Sequence, residues 1–230
     1  VKVVAVIPAL DEKGSVAAVV AGLFANGVDL VVVADNGSTD GTGAAAAAAG
    51  AVVVREERRG YGYACAAGSA VALDGGAEVI VYIDGDASSD PDELDRLLAP
   101  LRAGTAELVQ GSRVLGTIHG GAMAPHQRFG NALSAALMRR LYGVKVTDLG
   151  PYRALKATLF IELGMTEMTF GWPTEMTVKA ARHGARIVEV PVSWHNRRHG
   201  RSKVSGTVRG SVLAGYHILG VTLRHARIRR

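Results

Sequence analysis

The chain opens in short apolar runs that stop abruptly at polar loops. Lys2–Ile7, Leu30–Ala34, Ala51–Arg55 and Glu78–Ile83 are such runs, rich in valine and isoleucine. Continuous rather than alternating apolar residues predict strands buried on both faces, as in a parallel sheet. Segments of helical character separate them: Ser15–Asn26, with Ser15 or Gly14 near its cap, an alanine-rich stretch after Thr42, and Tyr63–Leu73. After the fourth run, Asp90-Pro91-Asp92-Glu93 predicts another helix start. Asp90 is its N-cap, a proline takes the first helical position and acids fill the first turn. Strand then helix, four times over, predicts an α/β doubly wound parallel sheet with right-handed crossovers.

The second half is less regular. Glu107–Gln110 predicts a strand running into Gly111-Ser112-Arg113, and a glycine-rich loop, Gly116–Gly121, precedes a helix over Arg128–Tyr142. A short helix near Leu155–Leu163, a helix over Glu175–His183 closed by Gly184, and a strand over Ile187–Trp194 follow. A basic loop, His195–Lys203, then leads to a last helix.

The polar loops share a position. Asp11-Glu12, Asp35 and Asp84-Gly85-Asp86 each follow a strand end. In a parallel sheet those ends lie on one edge, where ligands bind. Two carboxylates aimed into one crevice repel each other unless a cation sits between them, and a hard divalent ion bridging to phosphate oxygens satisfies both. Gly85 is expected to let the backbone approach a ligand. The plainer alternative for Asp84-Gly85-Asp86 is a solvated Asx turn.

Composition narrows the class. Apolar residues make up 48% of the chain but aromatics only 5%, so alanine and valine must do much of the packing. Cys65 is the single cysteine. It excludes an internal disulfide or a cysteine metal cluster, fits a reducing cytoplasm, and reads as a small buried residue. The histidines lack metal-ligand spacing. The first strand is not followed by Gly-x-Gly-x-x-Gly, and no Gly-Lys-Ser/Thr phosphate loop is present. The chain opens on a strand with no basic-then-apolar leader ahead of it.

Charge is uneven. Arg182–Arg230 holds eleven Lys/Arg against one acid, Glu189, for a net +10, which leaves the first 181 residues at −5. Such a tail is expected to meet something anionic: substrate phosphates, a membrane surface or nucleic acid. Val204, Val208, Val212, Tyr216, Leu219 and Leu223 form one helical stripe closed by arginines. The apolar stretch Val212–Leu223 is shorter than the about 20 residues that span a bilayer. It suits either an interfacial helix or one packed back on the domain.

Pro8-Ala9-Leu10-Asp11-Glu12, Asp35–Thr42, Asp84-Gly85-Asp86 and Gly111-Ser112-Arg113, in that order and spacing, resemble the family 2 glycosyltransferases of the GT-A fold. Gly171–Met176 and Gly200-Arg201-Ser202-Lys203 resemble the dolichyl- and polyprenyl-phosphate sugar synthases among them. The resemblance implies a single GT-A domain over residues 1–203, with a mostly parallel Rossmann-like sheet. Residues 1–112 would form its nucleotide-sugar half, 113–203 its acceptor half, and 204–230 a basic amphipathic helix and tail. It further implies that Pro8, Ala9, Glu12, Asp35, Asp84 and Gly85 hold the nucleotide, and that Asp84 and Asp86 hold Mg²⁺ or Mn²⁺ against the donor diphosphate. Arg113 and Arg128 would bind an acceptor phosphate, and Arg201 and Lys203 would close over the diphosphate. Relatives carry two adjacent acids where this chain has Ala34-Asp35-Asn36, so uracil and guanine both stay open as the base.

The expected reaction is inverting transfer of a hexose from GDP-mannose or UDP-glucose to a polyprenyl phosphate, by a protein that is cytoplasmic or peripheral at the inner face of the membrane. A hydroxyl acceptor is the alternative. It requires a general base, for which Glu175 and Asp148 are the candidates; the plain roles for these two are a helix-start acid and a turn acid. Trp172 and Tyr152 could stack on a sugar, but core packing is favoured for both. A nucleotidylyltransferase would carry Gly-x-Gly-x-Arg after the first strand, which is absent. A nucleic-acid-binding module lacks a recognised motif or aromatic platform. Oligomeric state stays open.

Overall fold

In a computed structural model of the chain, residues 1–197, 216 and 218–224 are described. The first half follows the predicted alternation: β1 (Val3–Ala9), α1 (Val16–Ala25), β2 (Leu30–Asp35), α2 (Thr42–Ala48), β3 (Val52–Arg55), α3 (Tyr61–Asp74) and β4 (Val79–Tyr82). A 3-10 turn at Pro91–Glu93 leads into α4 (Leu94–Arg102), with Asp90 accepting from the Asp92 N–H as the capping residue. Ser15 is the N-cap residue of α1, as expected, but its side chain makes no capping hydrogen bond. Its hydroxyl donates instead to the carbonyls of Glu12 and Gly85, tying the loop after β1 to the loop after β4.

The second half contains β5 (Leu108–Ser112), α5 (Pro125–Tyr142), β6 (Arg153–Lys156), α6 (Ala157–Leu163), α7 (Trp172–Arg182) and β7 (Ile187–Pro191). All seven strands join one sheet, in the order β3-β2-β1-β4-β6-β5-β7. The sheet is mostly parallel, as expected, with one strand reversed. β6, placed by sequence partly in a loop and partly in a helix, is a strand inserted between β4 and β5 and antiparallel to both. Because it runs backwards, the segment preceding it, 148–152, reaches the edge where the other strands end.

The sheet is buried on both faces. Val3, Ala5 and Ile7 of β1 face α1 and α4, packing among Val19, Leu23, Leu94 and Leu97. Val4 and Val6, pointing the other way as strand geometry requires, pack with Cys65, Ala72, Trp172 and Met176. Small residues bring α3 close to the sheet: a Cβ on Gly68 would stand 2.5 Å from Val6 Cγ1. Trp172 and Tyr152 are buried core residues, as favoured, and Cys65 is fully buried.

The helical segment 218–224 does not present the predicted stripe inward. Val221 and Thr222 are buried, whereas Tyr216 is 72% and Leu223 52% exposed. Among the described residues, no helix is long and apolar enough to cross a membrane.

Candidate active site

The loops after β1, β2, β3, β4 and β7 converge on a cavity of about 500 Å³, lined by Pro8, Ala9, Glu12, Asn36, Tyr61, Asp84, Gly85, Asp86, Phe170 and Arg197, among others. Its size suits a small-molecule ligand. Asp84 is half-buried in the cavity wall, and Tyr61 donates its hydroxyl to Asp84 Oδ1 at 3.2 Å. Burial, and then the charge of Asp86, push the Asp84 carboxyl up to about 7. Asp86 Oδ1 accepts from the Ser88 N–H at 2.9 Å and the Ser88 hydroxyl at 2.5 Å. Its other oxygen lies 3.4 Å from Arg197 Nη1, and Arg197 Nη2 donates to Glu12. A guanidinium thus stands among the acids.

Two residues here hold a backbone conformation unfavourable to side chains: Asp11 at φ 48° and Ala87 at φ 59°. The former is anchored by its carboxylate, which accepts from Thr39 N–H, and by its own N–H, which donates to Ser38. Gly85 lines the cavity. A Cβ there would meet Ile7 Cγ2 at 3.1 Å, so any side chain would crowd the strand.

Asp35 is not in the cavity wall. It accepts from the Ser38 N–H at 2.8 Å and faces Arg55 at 3.7 Å. Its neighbour Asn36 lines the wall. The Asn36 amide donates to the carbonyls of Glu56 and Arg58 and accepts from the Gly60 N–H, bracing the loop after β3. That loop leads into α3, where a Cβ on Gly62 would stand 2.3 Å from the Glu167 carbonyl. This close approach sets the 167–170 segment, and with it Phe170, against the cavity.

A second cavity, of about 560 Å³, shares Tyr61, Asp84, Asp86, Phe170 and Arg197 with the first. Its remaining wall includes Arg113, Met123, Leu149, Pro151, Pro173, Trp194 and Ile218. Arg113 is fixed on two sides. Its Nε and Nη2 donate to Asp148 at 2.7 and 2.6 Å, and its guanidinium lies 4.8 Å from the Trp194 ring centre. Arg128 lies outside this wall, exposed on α5, with Nε donating to the Met123 carbonyl. His119 and His195 stack 4.2 Å apart in a neighbouring groove.

The two candidate bases are elsewhere engaged. Glu175 is buried in α7 and lines neither cavity. Its carboxylate accepts from the N–H groups of Thr166 and Glu167 and the Thr166 hydroxyl, and pairs with Lys179. These bonds, opposed by burial, hold its carboxyl below the usual range. It staples a loop to the start of α7. Asp148 is fully buried beneath Arg113 and anchors that cation. Arg201 and Lys203 lie outside the described residues.

Sequence reasoning did not single out Arg197, Tyr61, Asn36, Phe170 or Trp194. Arg197 and Trp194 had a usable signal, since both lie just past the end of a strand that runs parallel to β5.

Residues 4–164 match the family model described as glycosyl transferase family 2. The chain belongs to that family. An uncharacterized glycosyltransferase of Mycobacterium tuberculosis is 39% identical over 213 residues, covering 92% of this chain and 94% of that one. The undecaprenyl-phosphate mannosyltransferase of Micrococcus luteus is 35% identical over 212 residues, covering 86% and 85%. Among solved structures, glucosyl-3-phosphoglycerate synthase from M. tuberculosis, in complex with Mn²⁺, uridine diphosphate and glucosyl-3-phosphoglycerate, superposes with a TM-score of 0.79 at 20% identity. That match covers all of this chain and 81% of the other, and shows that the two share the GT-A glycosyltransferase fold. The protein is thus a glycosyltransferase of family 2.

The acids fit a divalent cation of a particular kind. No group of three or more carboxylates, histidines or cysteines able to hold a metal is present among the described residues. Asp84 and Asp86 offer a pair, and Mg²⁺-type sites commonly use one or two carboxylates plus substrate phosphates. The Arg197 guanidinium among these acids marks the spot as one that accepts positive charge.

Proposed function

We propose that this glycosyltransferase moves a hexose from a nucleotide diphosphate sugar to a polyprenyl phosphate. The carrying observation is the shared wall of the two cavities. Asp84, Asp86, Tyr61 and Arg197 belong to both, so a donor in the first and an acceptor in the second would meet there. The names of the similar proteins fit this reading: one is an undecaprenyl-phosphate mannosyltransferase, and the structural neighbour was crystallised with Mn²⁺ and uridine diphosphate.

The second cavity suits an amphipathic anion. Arg113 is held ready by Asp148 and Trp194, which lowers the ordering cost of binding phosphate. Met123, Leu149, Pro151, Pro173 and Ile218 give an apolar surface beside it. A phosphate acceptor is already ionised at pH 7 and requires no base, in keeping with the engagement of Glu175 and Asp148 elsewhere. A hydroxyl acceptor would require one.

In this reading Pro8, Ala9, Glu12, Asn36 and Gly85 surround the nucleotide, and residues 1–112 and 113–203 serve donor and acceptor. Asp84 and Asp86 would hold Mg²⁺ or Mn²⁺, which supplies Lewis-acid neutralisation of the leaving diphosphate. Arg197 adds a second positive charge to the same leaving group. An acceptor phosphate oxygen forms a bond to the anomeric carbon as the bond to the diphosphate oxygen breaks, inverting that centre. The protein would work at the inner face of the membrane.

The test is transfer of labelled sugar from GDP-mannose or UDP-glucose to a short polyprenyl phosphate, with and without Mn²⁺. Label in the organic phase is expected. Turnover of the donor with label confined to water-soluble products would replace the lipid acceptor with a soluble one.

A further inference from the structure

From Arg113 to Thr147 the chain carries five Arg/Lys and no Asp or Glu. Most of that stretch is α5. One face of α5 is anchored: Ser134, Ala135 and Met138 are buried, Asn131 bonds to Thr147 and Leu149, and Tyr142 donates to the Thr222 carbonyl. At 3.6 residues per turn, Phe129, Leu133 and Ala136 stack on the face opposite Met138.

That outward face should be polar if it only met water. Instead Phe129 is 72% and Leu133 41% exposed, and Ala132 and Ala136 are exposed beside them. Arg128, Arg139 and Arg140 are also exposed on α5, and the loop leading into it exposes Val114 and Leu115. An apolar stripe with a basic border and no acids is the pattern of a helix lying in a lipid interface.

We propose that the outward face of α5, built on Phe129 and Leu133 with Arg128, Arg139 and Arg140 around them, docks the protein on an anionic lipid bilayer. The charge pattern selects this occupant. A second copy meeting the same face across a two-fold axis would set arginines against arginines with no acid to pair them. α5 also adjoins the acceptor cavity, since Gln127 in its first turn and Met123 just before it line that wall. Docking would hold the cavity at the lipid surface, a use that rests on the proposed acceptor; the docking itself does not.

The experiment uses the full chain and vesicles of phosphatidylcholine with or without phosphatidylglycerol, free of polyprenyl lipid. Co-sedimentation with the anionic vesicles, weakened by salt, is expected. Phe129→Ser/Leu133→Ser should lower the partition coefficient by about tenfold or more, since each side chain contributes apolar insertion. Thermal melting should be unchanged, because both residues are exposed. Phe129→Trp should show a blue-shifted emission on anionic vesicles alone, giving a reading independent of the double variant.

Loss of no binding in the double variant overturns the proposal and moves the contact to the tail. So does an absence of wild-type binding, or a dimer in sedimentation that Phe129→Ser dissolves. Because the vesicles contain no acceptor, these outcomes are separate from success or failure of sugar transfer.

Discussion

Arg113 and Asp148 meet through two parallel hydrogen bonds of 2.7 and 2.6 Å, and the Arg113 backbone N–H donates to the same carboxylate at 2.8 Å. Asp148 is fully buried, and the Arg113 side chain is 16% exposed. Removing one member of such a pair strands the other charge. Asp148→Ala is expected to cost about 3–5 kcal/mol of stability, read by denaturant unfolding. Arg113→Lys keeps the charge but loses the fork. It should raise KM for a phosphate acceptor much more than KM for the donor.

Asp86 is expected to carry the response to metal. In wild type, the matching nucleoside diphosphate with Mn²⁺ should raise the melting temperature by mass action. In Asp86→Ala that rise should largely vanish, while the melting temperature without ligand stays close to wild type or increases, since one of the crowded acids is gone.

Asp84 is expected to make metal–nucleotide binding depend on pH. Its carboxyl is raised from an ordinary value of 3.8 to about 7. The folded protein therefore binds a proton between those values that the unfolded chain releases. The sign follows: this group favours folding at low pH, and the contribution is lost as pH rises through 7. Metal binding must displace that proton, so affinity should rise up to about tenfold per pH unit below 7 and level off above it. Calorimetry in buffers of different ionisation enthalpy would detect about one proton released at pH 6. An affinity flat from pH 5.5 to 8 would contradict the shift.

Glu175 separates a loop staple from a base. Glu175→Gln should lower stability, because the Thr166 and Glu167 N–H groups lose a charged acceptor. Turnover per folded molecule should change little, whereas loss of a general base typically costs 10²–10⁴-fold. A pH–rate profile and a melting curve on the same preparation distinguish the two.

Ala87 holds φ at 59° beside Asp86. Ala87→Gly relieves a left-handed alanine, which costs roughly 1–2 kcal/mol, partly offset by glycine's larger loss of chain entropy. A small net gain in melting temperature is expected.

Much of the donor side was legible in the sequence because it obeys local rules. Valine runs announce the parallel strands, and polar loops at their ends announce the crevice. The failures came where a tertiary partner decides. Arg153–Lys156, with the sequence Arg-Ala-Leu-Lys, has no strand signature; it is a strand because its backbone pairs with β4 on one side and β5 on the other. Asp35 and Asn36 are adjacent and both polar, and strand pleat alone determines which faces the cavity. Glu175 sits where a base was expected, but the nearby N–H groups that claim it belong to a loop nine and eight residues away.

The reversed strand has a practical corollary. Its far end, at Lys156–Ala157, opens onto the rim of the sheet remote from both cavities, beside Val1 and Glu78. Segment 113–152, by contrast, enters and leaves on the catalytic rim. Anyone wishing to retarget the acceptor could graft that segment as a cassette while leaving the far rim of the sheet untouched.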